Sequence, residues 1–138
     1  NFRKKNMASY RTREGAITAA DSFTALDSLY GQSTSSSVQV PAGTSAIVGI
    51  IASIATDSAT NGAASFSMQL TGDGLTEQQT LTIGSQGVDG TPASNGMTNM
   101  PFALDVAIPV TASNQVAIAV AMDVDVGSAQ AAVTLVFA

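Results

Sequence analysis

Three observations predict an all-β fold built as a two-sheet antiparallel sandwich. From Gln115 to Val126 the chain alternates without a fault. Val116, Ile118, Val120, Met122, Val124 and Val126 fall on one side, and Ala117, Ala119, Ala121, Asp123 and Asp125 on the other. Strand side chains switch faces with a period of two, so this segment has a bulky face that needs a core and a small face that does not. Similar apolar runs recur from Val38 onward between Gly, Pro, Asn and Asp turn signals, without the intervening helices that βαβ units require. Finally, 23 of the 138 residues are Ala. A core this thin in bulky side chains suits two facing sheets better than a helical bundle, which needs more Leu.

The elements follow in order. Residues 1–15 have no apolar period and read as an extended basic N-terminal arm. Within 16–37, Ile17, Ala20, Phe23, Leu26 and Leu29 or Tyr30 recur every three or four residues, with Thr18 and Asp21 as a cap and Gly31 as a stop. That spacing predicts one short helix along the sandwich, followed by a Ser-rich link over 32–37. The sandwich itself is expected over 38–138. Val38 and Val40 make a first short strand, turned by Pro41-Ala42-Gly43. Ala46 to Ala55 is apolar on both faces, which predicts a central strand covered on both sides. After a polar loop, Phe66, Met68 and Leu70 alternate with Ser65, Ser67, Gln69 and Thr71. Gly72-Asp73-Gly74 signals a turn, and Gln78 to Ile83 follows with Leu81 and Ile83 inward.

Residues 84–101 form a long connection rich in Gly, Asn, Ser and Thr, with a short strand expected near Met97 to Met100; loops of this length are commonly functional. Phe102 to Val110 repeats the large/small alternation, and Pro109, lacking an amide hydrogen, marks an edge or a bulge. After Gln115 to Val126 the chain ends with Val133, Leu135 and Phe137 facing inward. This makes seven strands and a short eighth, arranged as a sandwich or single jelly roll. No run approaches the ~18 apolar residues of a membrane span. The start at Asn1 is compatible with either a removed leader or a true start at Met7.

The formal net charge of −5 conceals a division. All five basic residues, Arg3, Lys4, Lys5, Arg11 and Arg13, precede Glu14, and all ten carboxylates come from Glu14 onward. Such asymmetry points to a tail that meets an anionic partner, the alternative being a merely solvated terminus. Five phosphate contacts would give a log–log salt slope of at most about −4.5, and an anionic membrane would attract the same arm by roughly 1 kcal/mol per charge. Deleting residues 1–13 is expected to leave a folded sandwich but to impair assembly.

Chemistry is poorly supplied. The chain has no His, Cys or Trp, and no Lys after Lys5, so thiolate and Schiff-base nucleophiles are excluded from the body and an enzyme is not expected. Asp123 and Asp125 share a strand face about 7 Å apart. A calcium ion shared between subunits is the one cofactor they suggest, since hard cations take oxygen ligands; ordinary surface charge is the competing reading. Ala103, Ala107, Ala117, Ala119 and Ala121 are expected to form a smooth surface, either inert or approached by the helix or a neighbouring subunit. A body without Lys also lacks the charge most used to guard sheet edges.

A basic arm followed by one compact sandwich of short strands, in an Ala/Ser/Thr/Gly-rich chain, resembles the single jelly-roll capsid proteins of small icosahedral viruses. The resemblance covers the whole chain in layout. It implies a structural protein of the virion that self-assembles into a shell, with copies of itself and other virion proteins as partners. Five cations are few beside the Arg-rich arms of many RNA-virus coats, which suits contact with an internal membrane or neighbouring subunits better than genome packaging. The competing expectation is an extracellular filament subunit, with Val133 to Phe137 as an exchanged strand. A carbohydrate-binding sandwich is disfavoured, because only Tyr10 and Tyr30 could stack on sugar.

Overall fold

The computed structural model describes residues 8–57, 62–88, 102–124 and 128–138. These residues form strands β1 (Ser9–Ile17), β2 (Thr24–Ala25), β3 (Ser28–Leu29), β4 (Gln32–Ser33), β5 (Ser37–Gln39) and β6 (Ala46–Asp57). They are followed by β7 (Gly62–Thr71), β8 (Gln79–Val88), β9 (Phe102–Pro109), β10 (Gln115–Met122) and β11 (Ser128–Phe137). Sheet I has the order β4-β3-β1-β11-β6-β9, and sheet II the order β2-β10-β7-β8, with β5 beside β2 on the same edge of β10.

The pairing is nested. β1 pairs with β11, β5 with β10, β6 with β9 and β7 with β8, all antiparallel. This is one long hairpin whose tip is the turn between β7 and β8. Rolling it up brings β6 against β11 and β7 against β10. The outcome is a two-sheet antiparallel sandwich with the strand order of a jelly roll.

The inner faces form one core. Val116, Ile118, Val120 and Met122 of β10 and Phe66, Met68 and Leu70 of β7 are buried from sheet II. Ile47, Ile50 and Ile54 of β6 and Val133, Leu135 and Phe137 of β11 oppose them from sheet I. The alternation read in the sequence therefore identified the inward side chains of β7, β10 and β11.

Other expectations are corrected. No helix occurs among the described residues, and 17–30 instead contributes the end of β1 and the short β2 and β3. Ile17 and Leu26 are buried, but Phe23 and Tyr30 are exposed, so the spacing of three and four does not describe one face. Asp21 and Tyr30 have φ of 56° and 53°, outside the helical region. Gly31, at φ 72°, does not stop a helix; with Tyr30 it forms the two-residue turn joining β3 and β4, both residues at positive φ as a type I′ turn requires. The arm is also shorter than 1–15, because Ser9 to Gly15 lie in β1, in register with Phe137 to Ala131.

β6 is central, as expected, but it is covered on one face only. Val48 and Ile51 are 38% and 39% exposed, because sheet I has its core on one side and, among the described residues, no layer on the other. β10 ends at Met122, and Val124 is 47% exposed beyond it. β8 runs on to Val88, into the expected connection, and the short strand near Met97 to Met100 lies outside the described residues.

The hairpin tip is anchored by its neighbours rather than left free. Gly74 N–H donates to the Gln115 carbonyl at 2.8 Å, Thr111 N–H to the Gly74 carbonyl at 2.8 Å, and Gln115 N–H to Asp73 Oδ1 at 2.9 Å. A Cβ on Gly74 would stand 2.8 Å from the Gln115 carbonyl oxygen, so the close approach requires glycine.

Candidate functional site

Two of the five cations, Arg11 and Arg13, fall within the described residues. Arg3, Lys4 and Lys5 lie outside the described residues. Arg11 and Arg13 belong to β1, opposite Leu135 and Val133, and so on the inward side of the strand at the rim of the sandwich. Arg13 uses its guanidinium within the chain: Nε donates to the Ser35 carbonyl at 2.7 Å, Nη1 to Thr12 at 2.9 Å and Nη2 to Ser37 at 3.2 Å. Ser37 begins β5, so this fork ties sheet I to the rim of sheet II. Arg11 is exposed, with Nη1 on the Tyr10 carbonyl at 2.9 Å.

The five alanines do not form one surface. Ala103 and Ala107 lie on β9, in sheet I, and Ala117, Ala119 and Ala121 on β10, in sheet II. Facing sheets turn their outer surfaces in opposite directions, so the two groups look out from opposite sides. Ala103 and Ala107 are exposed, Ala117 and Ala119 half-buried, and Ala121 buried.

Asp123 Oδ1 accepts the Ser65 N–H at 2.7 Å, which fixes the end of β10 to the start of β7. Asp125 lies outside the described residues. Asp123 also lines an open cavity of about 250 Å³ with Asp21, Phe23, Ser67, Ala121 and Met122. The backbone of Asp21 reaches this place by donating its N–H to the Met122 carbonyl at 2.8 Å. Sequence reasoning could not find this neighbourhood, because no local pattern joins Asp21 to a residue a hundred positions away. Among the described residues, no three His, Cys, Asp or Glu side chains converge as metal ligands.

What remains exposed is two broad sheet faces with few charges. Outward on sheet I, Tyr10 and Thr12 of β1 oppose Val136 and Thr134 of β11, and Ile51 of β6 opposes Thr134 on one side and Ala103 on the other. The Thr12 and Thr134 hydroxyls meet at 2.8 Å. Among the described side chains, Glu14 and Asp105 are the carboxylates on this face. Outward on sheet II are Ser65, Ser67 and Gln69 of β7 and Thr80, Thr82 and Ser85 of β8, with Ser65 and Ser85 hydroxyls 2.9 Å apart. These surfaces can pack against or hydrogen-bond to another protein surface without desolvating many charges. No model of a known protein family matches the chain, and no curated protein matches its sequence.

Proposed function

We propose that this chain is a non-enzymatic structural subunit that assembles with copies of itself into a closed shell, as a viral coat protein does, and resides in the virion. One observation carries the reading: a single jelly roll whose two outer faces, over the described side chains, hold mainly apolar, Ala, Ser and Thr residues and few charges. Jelly rolls also serve lectins and cupins, so fold alone carries little weight. The surface carries more, since a sheet face with few charges can be covered by another copy at little desolvation cost.

Arg3, Lys4 and Lys5 precede β1 and supply the cations for an anionic partner, whether genome, inner membrane or the acidic body of a neighbour. Other virion proteins are further partners. Many weak contacts suffice in a shell, because each copy adds to the avidity of the rest. The filament reading is less well supported. β11, the expected donor strand, is hydrogen-bonded to β1 on one edge and β6 on the other, so exchanging it would open the centre of sheet I.

The test is the solution mass of the full chain followed by electron microscopy. Closed particles of uniform diameter are expected. Open fibres would favour the filament, and a monomer at every ionic strength and concentration would refute both.

A further inference from the structure

We propose that the free edge of β8 is a dimerisation edge, where a second copy of this chain adds its own β8 antiparallel and continues sheet II into the neighbouring subunit. The proposal goes beyond a shell, since such a dimer stands even if copies never close into one.

β8 ends sheet II and pairs with β7 alone; among the described residues no strand covers its other edge. An edge strand presents a row of N–H and C=O groups that match another edge. Proteins guard such edges with charge, proline or brevity. Among the described residues, the other three edges of the sandwich are guarded. β4 has two residues, β2 and β5 have two and three, and β9 carries Asp105 and Pro109. β8 has ten residues, Gln-Thr-Leu-Thr-Ile-Gly-Ser-Gln-Gly-Val, without a charge or a proline.

Two features favour a second copy as the occupant. All ten carboxylates lie in the body, which holds no cation after Arg13, so two copies repel wherever carboxylates meet, and β8 contributes none. The second feature is shape. The β7–β8 register shifts so that Ser67 faces Thr82 and Phe66 faces Gly84, leaving Ile83 as an extra residue near the midpoint of β8. Such a bulge bends the strand. A two-fold axis through that midpoint sets bend against bend and each half of the strand against the other half of its mate, the self-complementary contact of an isologous dimer.

Thr80 and Thr82 are exposed on the outer side of β8, so Thr80→Lys with Thr82→Lys places like charges at the contact without touching the core. Sedimentation of the full chain across a concentration series should show wild-type dimers or larger species. The double variant, folded by circular dichroism, should dissociate about tenfold or more readily. In wild-type protein, hydrogen exchange of β8 amides should slow as concentration rises, and this reading holds the proposal to account should the variant not fold. Unchanged association of a folded variant, or β8 exchange independent of concentration, would overturn it. Assembled wild-type protein with unprotected β8 amides would overturn this edge alone and leave the shell; dimers that never grow would do the reverse. A monomer throughout would end both.

Discussion

Arg13 shows how a residue type read for one purpose can serve another. Its three bonds to the carbonyls of Ser35, Thr12 and Ser37 make it a clasp on the rim of the sandwich. Arg13→Ala should lower unfolding stability by roughly 1–2 kcal/mol, read from the urea midpoint. Arg13→Lys keeps the charge but not the planar fork, so it should recover only part of that loss; full recovery would mean that charge alone matters. Tyr30 is the converse case. It is 86% exposed and held at φ 53°, where a bulky residue is strained. Tyr30→Asn, followed by Gly31, writes the pair that type I′ turns prefer, and should stabilise the chain by up to about 1 kcal/mol in thermal unfolding. At the hairpin tip the sign reverses: Gly74→Ala would press a methyl on the Gln115 carbonyl and should cost about 1–3 kcal/mol.

At the scale of elements, β1 decides what a truncation experiment can say. Deleting residues 1–7 removes Arg3, Lys4 and Lys5 but leaves β1, Ser9–Ile17, whole. The shortened chain should keep its circular dichroism spectrum while its assembly weakens. Deleting residues 1–13 also removes Ser9 to Arg13, five of the nine residues of β1, and uncovers the edge of β11. Against the sequence-based expectation, that product should lose its cooperative unfolding transition or aggregate. β1 was missed for a physical reason. Arg11 and Arg13 occupy the inward positions, so the strand has no apolar face to read until Gly15 and Ile17. β7, β10 and β11 were legible because each sets a full apolar face against a core. β6 was half legible: its composition announced a strand, but composition could not say that Val48 and Ile51 face outward.

For the whole molecule, the division of charge limits how strongly it can hold a polyanion. With Arg13 engaged by carbonyls, four cations are left for phosphate, so binding to duplex should follow a log–log salt slope no steeper than about −3.6. Filter binding across a salt series measures it, and a slope near −4.5 would return Arg13 to the binding set. The cluster of Asp21, Phe23 and Asp123 and the separation of the five alanines onto opposite faces also belong to this scale. Both follow from the rolled-up hairpin and from no local pattern.

The sequence by itself determined the class of fold, the inward faces of the best-patterned strands, the turn at residues 72–74 and the confinement of cations to the first thirteen positions. Each of these depends on neighbours in the chain, or on a period of two that a strand imposes wherever it lies. Only the tertiary structure decided which strand sits beside which, which edges no described strand covers, and that Arg13 closes a rim. Those outcomes depend on contacts between residues far apart in the chain, where pairing is set by how the hairpin rolls rather than by any segment alone.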